Sequence, residues 1–404
     1  MKNMKRIYFV INLVIGVFSY QNCFAVGSLF NVSPSGQNQV ITTNIPNHFY
    51  PNAGIKVTSP NFSLKNVGTQ CSMLGNGYCL FPVSDTSPAT ITLQALSQGA
   101  TAKYILCLNG KGPISCQNYT TISSPKFAYA GNYTNDNLAI CNVDSGTGEL
   151  SNCGTTGDNL ARPIEVTFNS AGTLAYVPNF DANVSLCNVD SNTGAISGCA
   201  TTGDAISSPT WVTLNAAGNL AYISDYSDSL IYLCSVDPNT GALSATCNTT
   251  GSGVTSPQQI VINNAGTFAY IGNFQSGVLT LCQIDGGGNL INCGSAGPSF
   301  SSTPGVALSP DGNYAYVADE SASVVYQCAV NSGTGALSGC HSTGSNFDGP
   351  DSIAINAAGT LAYVANYADD SVTKCSIDSS GAFHSCNTTG SGFVHFVAGI
   401  TLYY

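Results

Sequence analysis

A single dipeptide, Ala-Tyr, recurs at nearly even intervals along the second two-thirds of the chain. Its copies begin at residues 128, 175, 221, 269, 315 and 362, so successive copies lie 46–48 residues apart. Each interval contains short runs of β-branched and aromatic residues separated by Gly, Asn and Pro, which is typical of antiparallel strands. A period of about 40–50 residues with several short strands per unit is the pattern of β-propeller blades. We therefore predict an all-β fold.

The two ends of the repeat region predict how the ring closes. The first repeat begins at its second strand (127–129), and its own first strand is missing. Residues 396–404 (FVAGITLYY) resemble a first strand, because Ile-Thr-Leu at 400–402 matches Val-Thr-Leu at 212–214. This last segment can complete the first blade and remove an exposed sheet edge. We predict six blades; the alternative is seven, with one supplied by the region before residue 123.

The repeat region is preceded by two other segments. Residues 1–25 combine a basic start, a short apolar stretch and small residues at 23 and 25, which indicates a cleavable signal peptide. Residues 26–122 contain alternating stretches without a helical pattern, so we predict a small β-sandwich, immunoglobulin-like in architecture. This domain is either an adhesion or spacer module or a cap on the propeller. Residues 123–404 are the predicted propeller.

Cysteines occur in pairs across the hairpin between the third and fourth strands of every repeat. Where the turn is one residue shorter, at 378–381, the spacing of the pair falls from 12 to 11, as a disulfide requires. No Cys-x-x-Cys or Cys/His cluster suggests a metal site. The predicted disulfides join Cys141 to Cys153, Cys187 to Cys199, Cys234 to Cys247, Cys282 to Cys293, Cys328 to Cys340 and Cys375 to Cys386, and, before the repeats, Cys71 to Cys79 and Cys107 to Cys116. Sixteen bridged cysteines imply an oxidising compartment, so we expect a secreted or periplasmic protein.

Two repeat segments, AYVPNFDANV at 175–184 and AYVANYADDSV at 362–372, resemble the YVTN-type repeat of bacterial surface and periplasmic propellers. That superfamily includes lactonase-like enzymes, and the resemblance covers residues 127–404. It implies a propeller fold and makes a lactonase-like hydrolase one functional hypothesis. The chain departs from the group in having a Cys pair in every repeat and six units where seven are common.

The charge distribution narrows the class of partner. After residue 123 the cations are only Lys126, Arg162 and Lys374, against twenty acids. A nucleic-acid-binding protein needs a basic face, which this chain lacks. Many of the acids fall in loops that lie on one face of a propeller, so we predict a negative potential there that attracts cationic partners. After the signal segment, no apolar run is long enough for a membrane span.

No catalytic motif, cofactor motif or metal motif is present, and we predict neither a cofactor nor a metal. Positions that differ between repeats are better candidates than positions that recur. At the start of the first strands, near the ring axis, the predicted ligand-face residues are Arg162, Glu165, Trp211, Gln258, Gln259, Asp351 and His395.

Two functional interpretations follow. The first is an exported, non-catalytic binding or surface-interaction protein, with a protein or glycan partner. The second is a lactonase-like hydrolase, with Arg162, Glu165 or His395 as its candidate groups. A histidine and an acid within hydrogen-bond reach in one pocket would favour the hydrolase.

Overall fold

The computed structural model describes residues 125–404, apart from 204–205, 304, 392 and 394–396, and the backbone of nine strands between residues 30 and 122. The chain divides into two compact units, Met1–Ser123 and Ser124–Tyr404. The predicted signal peptide and His395 lie outside the described residues. No helix in the described part of the chain has the length and apolar character that a membrane span needs.

The N-terminal unit contains two antiparallel sheets. Their strand orders are β1-β2-β7-β4 and β5-β6-β3-β8-β9. The strands are β1 (Phe30–Ser35), β2 (Asn38–Thr43), β3 (Asn52–Val57), β4 (Phe62–Lys65), β5 (Ser72–Met73), β6 (Cys79–Pro82), β7 (Thr90–Ala95), β8 (Thr101–Asn109) and β9 (Ser115–Ile122). The register of β8 and β9 puts Cys107 directly opposite Cys116. The immunoglobulin-like architecture and the two disulfides of this unit, Cys71 with Cys79 and Cys107 with Cys116, remain predictions.

The second unit is a propeller of six four-stranded antiparallel sheets, as the repeat predicts. Blade 1 contains β10 (Phe127–Asn132), β11 (Asn137–Val143), β12 (Leu150–Thr156) and, from the other end of the chain, β33 (Val397–Tyr403). Blade 2 contains β13 (Thr167–Phe168), β14 (Leu174–Pro178), β15 (Val184–Val189) and β16 (Ile196–Thr202). Blade 3 contains β17 (Pro209–Leu214), β18 (Leu220–Asp225), β19 (Leu230–Ser235) and β20 (Asn248–Thr250).

The remaining blades follow the same order. Blade 4 contains β21 (Pro257–Ile262), β22 (Phe268–Asn273), β23 (Thr280–Ile284) and β24 (Leu290–Ser295). Blade 5 contains β25 (Val306–Leu308), β26 (Tyr314–Asp319), β27 (Val324–Val330) and β28 (Leu337–Thr343). Blade 6 contains β29 (Pro350–Ile355), β30 (Leu361–Asn366), β31 (Ser371–Ile377) and β32 (Phe383–Thr389).

The C-terminal strand closes the ring. β33 pairs antiparallel with β10, with Tyr403 opposite Phe127 and Thr401 opposite Tyr129. It is therefore the innermost strand of blade 1, and the predicted closure is confirmed. This arrangement leaves no unpaired strand edge at the junction of the two chain ends.

The Ala-Tyr pairs form the contacts between blades. Neighbouring residues of a strand point to opposite faces of the sheet, so the two side chains face different neighbours. In blade 3, Ala221 packs in the cluster shared with blade 2, whereas Tyr222 packs in the cluster shared with blade 4. All six tyrosines are less than 2 % exposed. The core of the propeller therefore lies between the sheets, in six clusters that each join two blades.

Each of these tyrosines also crosses to the next blade with its hydroxyl group. Tyr129 donates a hydrogen bond of 2.6 Å to the carbonyl oxygen of Gly194, which ends the hairpin turn between the third and fourth strands of blade 2. The four tyrosines at 176, 222, 270 and 316 make the same bond to the equivalent glycine of the following blade. Tyr363 of blade 6 makes it to Gly148 of blade 1.

Every predicted cysteine pair of the propeller forms a disulfide within its own blade, with Cα atoms 4.0–4.5 Å apart. The six confirmed disulfides, in blade order, join Cys141 to Cys153, Cys187 to Cys199, Cys234 to Cys247, Cys282 to Cys293, Cys328 to Cys340 and Cys375 to Cys386. The first cysteine of each pair is on the third strand of its blade.

A local distortion of the outer strands accompanies these disulfides. In blade 1, the register shifts between Ile140 and Asn142 of β11, and β12 is bulged there: its Asn152 and Cys153 both lie opposite the single residue Cys141. The residue before that cysteine, Asn152, has a φ of 48°, and equivalent positive φ values occur in every blade except blade 3. The bulge turns the strand so that the two sulfur atoms meet.

Candidate functional site

A cavity of about 180 Å³ lies on the axis of the propeller. We call it the axial cup. Its lining comes from two equivalent positions of the repeat, one near the start of the innermost strand and one directly after the second strand. The lining residues are Ile164, Thr210, Gln258, Asp351 and Ala398 from the first position, and Tyr133, Phe180, Tyr226, Phe274, Glu320 and Tyr367 from the second. All six blades contribute, which places the cup at the centre of the ring.

In blades 2 to 6, a polar side chain at the end of the second strand holds the second set in place. In blade 2, the side-chain oxygen of Asn179 accepts a hydrogen bond of 3.0 Å from the backbone N–H of Ala161, in the loop between blades. The same bond, always to an N–H 18 residues earlier, is made by Asp225, Asn273, Asp319 and Asn366. These Asn and Asp residues are scaffold, as their recurrence predicts. They fix the backbone from which the next residue projects into the cup.

Five of the six residues that follow these strand ends are aromatic, and four form an arc. Ring centroids are 5.7 Å apart between Tyr133 and Phe180, 5.7 Å between Phe180 and Tyr226, and 6.0 Å between Tyr226 and Phe274. The fifth aromatic residue is Tyr367. Such spacings suit edge-to-face and tilted contacts between aromatic rings. The rings present an apolar wall of rigid side chains to whatever enters the cup.

Arg162 binds at one end of the arc. Its guanidinium carbon lies 3.8 Å from the centroid of the Tyr133 ring and 5.4 Å from that of Phe180. Its Nη1 donates to both carboxylate oxygens of Asp181 at 3.1 Å. The backbone N–H of Arg162, at a φ of 53°, donates to Asp136 Oδ1 at 2.8 Å. The predicted ligand-face arginine is therefore stacked on the cup's rim and neutralised.

Two acids meet on the other side of the cup. Asp351 is 5 % exposed, and its carboxylate has no hydrogen-bond or ion-pair partner among the described residues. Burial, and then the charge of Glu320, raise the pKa of Asp351 well above its usual range. Burial, and then Asp319, raise the pKa of Glu320. The buried Oε2 atom of Glu320 is also without a partner within the described structure.

Glu165 and Gln259 lie one position further along the innermost strands and tie the blades together. Glu165 is 1 % exposed; its Oε1 accepts from the backbone N–H of Val212 at 3.1 Å and from the hydroxyl of Thr167 at 3.2 Å. Burial raises the pKa of Glu165 to about 8. Gln259 occupies the equivalent position, accepts from the N–H of Val306 at 2.9 Å and donates to the carbonyl of Ile353 at 3.4 Å. Neither residue lines the cup.

The structure thus brings only part of the predicted ligand face together. Gln258 and Asp351 line the cup, and Arg162 caps its rim. Trp211, predicted on the same face, packs instead between blades 3 and 4 with Tyr222 and Ile260. The pairing of β17 with β18 shifts in register between Pro209 and Trp211. Such a shift changes which side chains of a strand point towards the neighbouring blade, and here it accompanies the burial of Trp211.

Other ionisable groups lie away from the cup. His341 and His384 are exposed on the outermost strands β28 and β32. Nowhere in the described residues do three or more His, Cys, Asp or Glu side chains group as metal ligands would. A second cavity, about 730 Å³, opens among the turns of blades 3 and 4. Its polar side chains, such as Asn215, Asn263 and Asp285, already bond their own turns.

The aromatic wall is the part of the site that the sequence analysis missed. The signal was present, because an aromatic residue follows the strand-end Asn or Asp in every repeat except the fifth, where Glu320 stands. A recurring residue indicates scaffold when each copy contacts only its own blade. On a ring, however, a recurring residue at the axis also builds one shared surface.

Comparison with known proteins now places this fold among its relatives. Residues 180–298 and 296–392 match the family described as "Lactonase, 7-bladed beta-propeller", and together they span more than half of the chain. The chain belongs to this family. As a lactonase-family propeller it is unusual in its blade number, because residues 125–404 form six four-stranded sheets rather than seven. No curated protein matches the chain.

Solved structures share the propeller fold at low sequence identity. The periplasmic gluconolactonase of Pseudomonas aeruginosa is 15% identical with a TM-score of 0.50, over 87% of this chain and 99% of that one. A Bacteroides uniformis protein provisionally described as a 6-phosphogluconolactonase is 18% identical with a TM-score of 0.51, over 74% and 94%. A chain of the nidogen/laminin complex is 11% identical with a TM-score of 0.54, over 69% and 98%. This lactonase-family propeller therefore shares its fold with both enzymes and interaction proteins.

Proposed function

We propose that this lactonase-family propeller is an exported, non-catalytic binding protein whose ligand-binding site is the axial cup. The observation that carries the proposal is the cup's lining. Five aromatic side chains and two acids converge on one cavity at the ring axis. Rigid aromatic walls with a few polar groups are typical of recognition sites.

The chemistry of the cup favours binding over hydrolysis. General acid–base catalysis needs a group whose proton can be exchanged with the substrate, held within hydrogen-bond reach of it. Glu165 carries a raised pKa, but its carboxyl is enclosed by hydrogen bonds from Val212, Thr167 and Thr401 and does not line the cup. Asp351 and Glu320 do line the cup, but no histidine is among its described lining residues. The hydroxyl of Thr210, which also lines the cup, donates its proton to the carbonyl oxygen of Pro257 at 2.9 Å.

Export is supported by the cysteine chemistry. Six disulfides form within the blades, and structural disulfides persist in oxidising compartments. These disulfides support a periplasmic or extracellular location. The N-terminal unit would then serve as an adhesion or spacer module.

The second candidate function is lactone hydrolysis. It is favoured by membership of the lactonase family and by the name of the Pseudomonas aeruginosa relative. In that case Asp351, whose pKa burial raises, is the group best placed to act on a substrate in the cup.

One pair of measurements separates the two functions. The purified protein is screened by thermal shift and NMR against glycans, peptides and lactones, and the same lactones are assayed for hydrolysis. A binding protein gives a saturable ligand without lactone turnover. The Phe274→Ala variant should weaken that ligand at least about threefold by removing an aromatic wall, whereas Ile291→Ala, at an exposed apolar side chain on an outermost strand, should not. Lactone turnover that Asp351→Asn abolishes would instead establish the hydrolase.

A further inference from the structure

We propose that the axial cup binds a guanidinium group, presented as the arginine side chain of a partner protein. This inference rests on the proposed binding function and names the ligand chemistry of the same site. It follows from the cup's unpaired acids, its aromatic wall, its size and the behaviour of Arg162 on the same wall.

The unpaired acids define the charge of the ligand. Asp351 is buried at the cup without a partner in the described structure, and Glu320 beside it has a buried oxygen that accepts no hydrogen bond. Leaving buried acceptors unpaired is costly, and two adjacent carboxylates repel each other. A cation that donates hydrogen bonds removes both penalties. The residues that line the cup at the equivalent position of other innermost strands are Ile164, Thr210, Gln258 and Ala398. Among these lining residues, only Asp351 of blade 6 is an acid.

The aromatic wall selects among cations. Calcium and magnesium ions take six or more oxygen ligands, whereas the described cup offers two carboxylates. No group of three or more His, Cys, Asp or Glu side chains that could hold another metal occurs among the described residues. A lysine ammonium is compact and strongly hydrated, so aromatic faces replace its water poorly. A guanidinium group is planar and more weakly hydrated, stacks on aromatic rings, and donates in a fork that matches a carboxylate. A quaternary ammonium would suit the rings but has no N–H for Glu320 and Asp351.

The size of the cup favours a side chain over a whole small molecule. Its volume of about 180 Å³ is below the range of roughly 300–1,000 Å³ that is typical of pockets for drug-sized ligands. A cavity of this size at the axis accepts a protruding group, while the rest of the partner stays outside. The acidic loops around the cup, including exposed Asp228 and Asp369, would attract a basic partner surface.

One guanidinium group of the protein itself, that of Arg162, already binds to the aromatic wall of the cup together with a carboxylate. Arg162 stacks on Tyr133 at 3.8 Å while its Nη1 reaches both oxygens of Asp181 at 3.1 Å. Two aromatic rings, Tyr133 and Phe180, and the carboxylate of Asp181 contact that guanidinium. On the opposite side of the cup, Phe274 and Tyr367 flank Glu320 in the ring order, and Asp351 lies within the same cavity. The side of the cup opposite Arg162 thus has the same types of group.

The test uses the full chain and isothermal titration with N-acetyl-arginine amide, followed by an Arg-containing peptide. N-acetyl-citrulline amide is the uncharged match for the same shape; N-acetyl-lysine amide and choline test the other cations. We expect saturable binding of the arginine compounds, with citrulline, lysine and choline at least about tenfold weaker. Glu320→Gln and Asp351→Asn should each weaken arginine binding roughly tenfold to a hundredfold. Asp348→Asn, which removes an exposed acid three residues from Asp351, should change it less than about twofold.

Circular dichroism and the thermal midpoint verify that each variant is folded. Equal binding of citrulline and arginine, tighter binding of choline, or full arginine affinity in both acid variants would overturn the guanidinium assignment. Binding of a glycan that Phe274→Ala weakens, with no arginine binding, would also overturn it but would support the proposed function. Lactone turnover without any binding partner would overturn both.

Discussion

The hydroxyl of Tyr363 donates a hydrogen bond of 2.7 Å to the carbonyl oxygen of Gly148, 215 residues earlier in the chain. The equivalent bonds elsewhere in the ring join residues only 65 or 66 positions apart. Blade 6 is therefore bonded to blade 1 in the same way as any other pair of neighbours. Gly148 has a φ of 73°, and a Cβ atom there would lie 2.7 Å from the Tyr363 hydroxyl. Glycine readily adopts this positive φ and has no Cβ atom that would collide with the hydroxyl.

This equivalence predicts the effect of removing a single hydroxyl. Tyr363→Phe should lower the free energy of unfolding by about 1–3 kcal/mol, because the buried carbonyl of Gly148 would lose its donor. Tyr222→Phe, within the ring, is the matched control and should cost the same. Urea unfolding of both variants measures the two values. A cost at Tyr222 with none at Tyr363 would indicate that the ring is open at its junction.

Deletion of residues 393–404 should unfold the junction of blades 6 and 1. The segment contains Ile400, Leu402, Tyr403 and Tyr404, all less than 9 % exposed, and it supplies the innermost strand of blade 1. Without it, β10 has an unpaired edge and the cup loses Ala398. We expect a lower thermal midpoint and a broader transition by circular dichroism. An unchanged midpoint would contradict closure by β33.

The pH dependence of stability should reflect Glu165. Burial raises its pKa from 4.5 to about 8, so the folded state favours the protonated carboxyl. Its contribution to stability is fully present below pH 4.5 and is lost as the pH rises through about 8. Glu165→Gln should therefore reduce the fall in thermal midpoint between about pH 6 and pH 9, and Gln259→Glu, at the equivalent position, should increase it. Parallel curves for all three proteins would show that Glu165 does not ionise in this range.

Binding of a cation in the axial cup should strengthen as the pH rises. The pKa of Asp351 is raised by burial and by Glu320. The pKa of Tyr367, which lines the same cavity, is raised by burial and then by the charge of Asp351. A cation requires the ionised carboxylates, so binding releases protons. Titrations of the arginine probe between about pH 5.5 and 8.5, in buffers of different ionisation enthalpy, measure that release. In Glu320→Gln the dependence should move to lower pH, because one of the two repelling charges is gone. Affinity that is independent of pH would contradict an ionising Asp351.

The sequence predicted those parts of the fold that repeat with the blade. The Ala-Tyr spacing, the cysteine pairs and the match between residues 400–402 and 212–214 all follow from one unit that is copied six times. The bulge at Asn152 that brings the sulfur atoms together was not visible, since several residue types accept the required positive φ there. Trp211 was placed on the ligand face because its strand starts near the axis. Whether a side chain faces the axis or the next blade depends on a local register that composition does not encode.

The candidate site was predicted less completely for a related reason. Asp351 and Gln258 were found because they differ between blades. The aromatic wall is contributed by five separate repeats, and its members come together only when the ring closes. Glu320 became informative only once the other five positions were known to be aromatic and to share a cavity with it.

A crystal structure with bound ligand tests the central claim most directly, namely that this propeller binds its partner in the axial cup. Crystals of the full chain would be grown with the tightest ligand from the binding screen. We predict density for that ligand in the cup, in contact with Asp351 and with at least one of Tyr226, Phe274 and Tyr367. Density on the turns of the opposite face or on the N-terminal unit, with the cup empty, would contradict the claim.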